Sequence, residues 1–592
     1  MPSLDRRETT NRNPRMIPSR ALAALAAGSA LALCLPAPAQ AQLGGREVQA
    51  PQADTILVNG RIRMDDAWVE AMAIGDGVIL TMGDAATARA AAGPDARVID
   101  LGGKTVLPGL HDMHVHPTSG GMARMQCQVN PDNTIDQALA TVAACVAEKQ
   151  PGEWITGRAY EPAALGVTPT RDMLDRVAPD NPVMLTDVSL HSAWVNSAAL
   201  RLAGIDRDTP DPQGGIIERD ANGEPTGVLR ESASQIVGRV VPPASREQTV
   251  EALGFALDYV LGFGITSLED ALVSADVAQA YADLADSGKA LPYVRGCLIG
   301  RDQALIARRQ LYARATFSPS CVKLITDGVP TDSHTAAMLE SYADSHAGHD
   351  EGRERGMLFI DPAELNREVV RYDAMGLTVK LHAAGDAAVR QSLDAIAAAR
   401  EANGLTGLLH DVAHNSFVAP SDIARAAEID AVLEFSPYIW FASPIVDNII
   451  QAVGPERMER WIPVREAVDA GVFTIIGSDW NVVPSINPWL AMETLVTRRP
   501  PGVVDAVQIG AREAITLEEA FDMFTINAAR QMYRADKVGS LEPGKVADLI
   551  VTDRNIFEVP IETVHATKVL ATMLHGEFVH GDASFMAAPA AE

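Results

Sequence analysis

Residues 105–116 read Thr105-Val106-Leu107-Pro108-Gly109-Leu110-His111-Asp112-Met113-His114-Val115-His116. The stretch opens apolar, turns at Pro108-Gly109 and ends in two histidines one residue apart. On an extended strand, side chains at i and i+2 point to the same side. His114 and His116 therefore face one way together, an arrangement in which two imidazoles can hold one metal ion. The chain has only 13 histidines in 592 residues, so such a pair at the end of an apolar strand is uncommon. Its weight depends on which other residues join it.

Working outward, the composition sets bounds. Hydrophobic residues make up 47% of the chain, enough for a large core and more than one domain. The formal net charge of −28 argues against nucleic acid and anionic membrane surfaces as partners. At the N-terminus, Arg6, Arg7, Arg12, Arg15 and Arg20 precede an apolar run over 21–35. Ala39-Gln40-Ala41 then supplies a small-x-small cleavage pattern. The run is shorter than the roughly 20 residues of a membrane span. Residues 1–41 read as a secretory signal cut near Ala41, which gives a periplasmic or secreted protein with no membrane segment. Met16 is an alternative start, and Cys34 an alternative lipid anchor that the bulky Leu33 before it disfavours. Arg6-Arg7 lacks the apolar residues that follow a twin-arginine pair. Four cysteines remain after cleavage, and no C-x-x-C occurs, which argues against a zinc knuckle. Cys127 and Cys145 are either bridged or free buried thiols.

Residues 54–104 read as short strands and turns, with a hairpin signal at Asn59-Gly60. They form a small β domain that 538–582 completes as a β-sandwich. Residues 118–250 mix helix and strand and read as an inserted α+β segment covering the site. From 251 a regular alternation begins, with buried strands at 264–269, 293–299, 322–326, 378–382, 408–414, 431–436 and 473–479. With the strand ending at His116 these make eight, the count of an α/β fold of the (β/α)8 TIM-barrel type. The barrel is assigned to 105–117 with 251–537.

In that architecture catalytic groups sit at the C-terminal ends of strands. His114 and His116 end the first strand, Lys323 lies in the fourth, His382 ends the fifth, His414 the sixth and Asp479 the eighth. Each alone has a bland explanation: a satisfied histidine, a helix-capping aspartate, a snorkelling lysine. Six such residues on barrel strands are hard to assign to separate accidents.

The set P-G-x-x-D-x-H-x-H, V-K-L-x-x-D-G, H-A-x-G-D, the sixth-strand histidine and G-S-D resembles the amidohydrolase superfamily. His191-Ser192-Ala193-Trp194-Val195-Asn196, Asp327-Gly328 and Asp479-Trp480-Asn481-Val482 are similar to its amidohydrolase-3, YtcJ-like branch. The resemblance runs from about 54 to 580. It implies hydrolysis of a carbon–nitrogen, amide-like bond of a small molecule by metal-activated water. Two departures bear on substrate class: Ser333-His334-Thr335-Ala336 stands where relatives often carry R-T-A, and Leu190 stands where they often carry Gly.

The resemblance implies a division of labour. His114 and His116 would hold one divalent ion, most simply zinc, and His382 and His414 a second. Lys323 would bridge them only as a carbamate formed with CO2, because an ammonium has no lone pair. Two ions roughly 3.5–4 Å apart would share one water. Asp479 would be ligand and general base. His191, Trp194 and His334 are the candidate substrate contacts. A single-ion site with Lys323 merely structural is the mechanistic rival. The alternatives in function are a deaminase, a dipeptidase or a silent binding protein. Many barrel deaminases carry Glu three residues after the fifth-strand histidine, where this chain has Gly385. Self-association is an expectation from the resemblance alone.

Overall fold

The computed structural model describes residues 52–65, 67–130, 132–162, 164–187, 192–212, 215–331, 334–344, 354–440 and 444–581. The signal-peptide reading of 1–41, His191 and the tail after 581 lie outside the described residues.

Eight parallel strands form one sheet: Leu110–Val115, Ile265–Val273, Tyr293–Ile299, Phe317–Ile325, Thr378–Ala383, Asp411–His414, Val432–Phe435 and Phe473–Ile476. Each neighbours the next in chain order. The ends meet where the Asp479 amide donates to the His114 carbonyl at 2.8 Å and the His116 amide to the Trp480 carbonyl at 2.6 Å. The result is the TIM-barrel sheet expected from the strand count. Helices such as Arg246–Leu261, Pro362–Ala374 and Asp386–Asn403 cover its outside, and their apolar faces join the main core. Their starts are legible chemistry. Ser245 and Gln248 make a reciprocal capping box, and Asp361 caps the helix that opens with Pro362.

The sandwich is built from both ends of the chain. One sheet holds Val78–Gly83, Ala71–Gly75, Ala53–Val58 and Ala92–Asp100. The other runs Glu577–Gly581, Val569–Leu574, Leu549–Thr552, Thr105–Pro108, Arg61–Met64 and Ala67–Val69. Leu57, Met72 and Ile99 of the first sheet share a buried cluster with Val106, Leu549 and Met573 of the second.

One boundary is corrected here. The apolar run places 105–117 in the barrel, but Thr105–Pro108 pairs with Leu549–Thr552 and Arg61–Met64 in the sandwich. The barrel strand starts only at Leu110. Gly109 makes the switch, because a Cβ there would lie 2.2 Å from Thr266 Oγ1. The continuous apolar run hid this break.

The insertion is also narrower than 118–250. Pro117–Met125 is a helix packed on Arg246–Leu261, so closely that a Cβ at Gly121 would lie 1.9 Å from the Ala252 carbonyl oxygen. The separate sheet begins at Cys127–Gln128 and continues through Ile155–Tyr160, Val183–Asp187, Ser192–Val195, Pro225–Glu231 and Gly215–Arg219. Helices cover both its faces. Disulfides join Cys127 to Cys145 and Cys297 to Cys321. The first settles the choice left open between a bridge and free thiols. The second links directly opposed residues of neighbouring barrel strands. Among the described residues, no helix is long and apolar enough to cross a membrane.

Candidate metal centre

The barrel strands and the turns after them bring all six of the expected ligand residues into one cluster at the barrel mouth. His116 Nε2 lies 3.2 Å from Asp479 Oδ1, and His114 Nε2 lies 3.7 Å from the same oxygen. Lys323 Nζ is 3.1 Å from His114 Nε2. His414 Nε2 is 3.0 Å from His382 Nδ1, and the His114 and His414 rings are 4.6 Å apart between centroids. Asp479 sits in a left-handed backbone conformation, φ 60°, one residue after Ser478. Asp112, the aspartate of the opening motif, ties this turn to the first strand by accepting from the Ser478 amide at 2.9 Å and the His114 amide at 3.2 Å.

The hydrogen bonds around the rings decide where their lone pairs point. His382 Nε2 faces the Gly328 carbonyl at 3.1 Å, and a carbonyl only accepts. The proton is therefore on Nε2, and Nδ1 carries a lone pair toward His414. His114 Nδ1 faces Glu434 Oε1 at 2.7 Å, which leaves Nε2 as the acceptor toward Lys323. His414 Nδ1 meets Ser436 Oγ at 2.8 Å. Burial, then the Lys323 charge, holds His114 well below the usual imidazole range and His382 down to about 4. Neutral imidazoles are the form that binds metal. Burial also pulls the Lys323 ammonium down to about 8, and the nearby Lys380 adds to the effect. The inward lone pairs of His114 and His382, with the His116 and His414 rings and one carboxylate beside them, fit a divalent ion of borderline softness.

Beneath the mouth lies a buried ionic cluster that the sequence reading missed. Lys380 Nζ contacts Glu269 Oε1 at 3.0 Å and also pairs with Asp411 and Glu434. Arg295 pairs with Glu269. Burial opposes the Lys380 charge, and the Asp411, Glu269 and Glu434 carboxylates outweigh it and hold the ammonium protonated. These groups come from five strands. No local spacing links them, although Lys380 stands two residues before His382 on the same face.

Asp327, the aspartate of the D-G pair, anchors the backbone around the His382 turn. It accepts from the amides of Ala337, Ala384 and Gly385 at 2.9, 3.0 and 2.9 Å. It thereby ties the segment after the fourth strand to the turn after His382 and sets the Gly328 carbonyl against the His382 ring.

The candidate substrate contacts fare differently. Trp194 is corrected: it is fully buried in the inserted domain, where strand alternation turns it toward the Ile135–Ala147 helix. Its indole donates to the Thr170 carbonyl at 2.9 Å, so it has no surface left for a substrate. His334 stacks on Tyr342, with centroids 4.4 Å apart, and its Nε2 pairs with Asp344 at 2.8 Å. The structure does not bring it into the six-residue cluster.

The amidohydrolase family model matches residues 97–580. An N-substituted formamide deformylase of Arthrobacter pascens is 30% identical over 88% of this chain and 97% of its own. YtcJ of Bacillus subtilis is 29% identical over 86% of this chain and 96% of its own. In fold, a crystal structure of an uncharacterized metal-dependent hydrolase from Pyrococcus horikoshii superposes with a TM-score of 0.70 at 24% identity. That match covers 86% of this chain and 99% of the other. The chain belongs to the amidohydrolase family, among its YtcJ-like members.

Proposed function

We propose that this chain is an exported, metal-dependent hydrolase that cleaves a non-peptide, amide-like C–N bond of a small molecule. The observation that carries the reading is the convergence of four imidazoles, Lys323 and Asp479 in one cluster at the barrel mouth. The relative named as an N-substituted formamide deformylase supports the bond type, because it aligns along nearly its whole length. Two disulfides and the basic-then-apolar leader support export to an oxidising compartment.

His114 and His116 would hold one ion, and His382 and His414 a second. Lys323, carboxylated by CO2 through its free amine, would bridge them. Zinc suits the imidazole-rich set. Bound there, divalent ions supply Lewis acidity toward a carbonyl and lower the pKa of water. Asp479 takes the proton of the attacking water and returns it to the departing nitrogen, so the C–N bond breaks to a carboxylic acid and an amine. The Ser478 turn and Asp112 hold that carboxylate against the two first-strand histidines.

A deaminase is less well supported. Gly385 cannot be traded for a proton-donating side chain, because a Cβ there would lie 2.1 Å from the Ala337 carbonyl oxygen. The test is a screen of zinc-loaded protein against formamides, N-acyl amino acids, cyclic amides and dipeptides. Release of amine from a formamide or N-acyl compound, abolished by a chelator and restored by zinc, is the expected result. Turnover of dipeptides alone, or turnover indifferent to the chelator, would overturn the reading.

A further inference from the structure

The seventh barrel strand supplies none of the six candidate ligands, yet it reaches both histidine pairs. Leu433 and Phe435 point outward into the main core. The alternate positions, Glu434 and Ser436, point inward and are two residues apart. Glu434 Oε1 lies 2.7 Å from His114 Nδ1, and Ser436 Oγ lies 2.8 Å from His414 Nδ1. One residue of the pair therefore meets one histidine of each candidate ion site. Both are fully buried.

Glu434 is itself held in place. Its other oxygen pairs with Lys380, which Glu269 and Asp411 grip in turn. Room for the contact comes from Gly477. A Cβ there would lie 2.3 Å from the His114 Cβ and 2.5 Å from Glu434 Oε1. The two contacts differ chemically. A carboxylate accepting from an imidazole N–H makes the ring a stronger donor at its other nitrogen, and a neutral hydroxyl does so less.

We propose that the seventh strand orients the metal centre, Glu434 positioning His114 through its carboxyl group and Ser436 positioning His414 through its hydroxyl. The inference rests on the metal-centre reading above. It adds that the His114/His116 position is the tighter of the two, and that separate residues of one strand tune the two positions.

The test is equilibrium metal titration of the purified full chain, zinc against a chromophoric chelator and cobalt(II) by its visible spectrum. Wild type is compared with Glu434→Gln and Ser436→Ala. Glu434→Gln should weaken the tighter equivalent by about 10–100-fold and shift the cobalt spectrum. Ser436→Ala should weaken only the looser equivalent, by less than about tenfold. Wild-type affinities and spectra in both variants would overturn the role of the strand. Should Glu434→Gln fail to fold, Ser436→Ala decides, since it removes a single oxygen atom. A wild-type chain that takes up neither ion overturns the metal-centre reading itself, a result distinct from the failure of the strand's role.

Discussion

Lys323 shows what burial does to one side chain. Packed inside the barrel 3.1 Å from His114 Nε2, it loses solvation of its charged form, and its ammonium falls to about 8. The free amine then becomes accessible near neutral pH, as the proposed carboxylation requires. Lys323→Ala should cost one of two bound zinc ions, read by metal analysis per chain, with full zinc retention as the contrary result. In the proposed mechanism Asp479 carries the proton traffic, so Asp479→Asn should lower kcat by about 10²–10⁴-fold with an unchanged circular dichroism spectrum. An asparagine variant of near-wild-type kcat would remove Asp479 from the chemistry. At this scale the convergence of the six candidate residues was legible because five of them stand at or just past strand ends and Lys323 lies within a strand. Trp194 was misjudged, since a motif shared with relatives does not say which face of a strand a side chain occupies. Glu434 and Ser436 were invisible for another reason: their partners lie 320 and 22 residues away, and L-E-F-S has no signature of its own.

Elements hold these residues through connections that do no chemistry. The approach to the sixth strand is an example. Asp373, at the end of the Pro362–Ala374 helix, faces His410 Nε2 at 2.8 Å, Thr406 Oγ1 at 2.7 Å and Asn403 Nδ2 at 2.9 Å. The His410 ring accepts from the Val379 amide through Nδ1 at 3.0 Å, so one residue pins the starts of two barrel strands. Burial alone would raise the Asp373 carboxyl. The hydrogen bonds from His410, Thr406 and Asn403 outweigh it and hold it down to about 2. A folded-state value below the unfolded one, about 3.9, means stability that is present above pH about 4 and lost as pH falls toward about 2. Its size is about 2 kcal/mol. Asp373→Asn should therefore lower the melting temperature at pH 7 and narrow the gap to wild type at pH 3. An equal gap at both pH values would contradict this. The strands themselves were readable as buried apolar runs. Their exact limits were not, because the run through Leu107 and Leu110 is continuous although two domains share it.

The whole molecule is held by long-range closures. Leu549–Thr552 from the C-terminal part pairs with Thr105–Pro108, so the sandwich cannot form until most of the chain is present. The two disulfides close separations of 18 and 24 residues, worth about 3 kcal/mol each by chain entropy. Full reduction should lower the thermal midpoint, read by calorimetry with thiol counting. An unchanged midpoint after both bonds are shown to be open would contradict that. The overall barrel followed from counting strands. The pairing of Cys297 with Cys321 did not, since only the register of neighbouring strands sets those two residues opposite each other.

The central claim is that His114, His116, Lys323, His382, His414 and Asp479 form one metal centre. Anomalous diffraction at the zinc edge from crystals of the zinc-loaded protein tests it most directly. The account predicts two peaks, one beside His114 and His116 and one beside His382 and His414, with density extending beyond Lys323 Nζ between them. Crystals diffracting well, with no anomalous peak at that cluster, would contradict it.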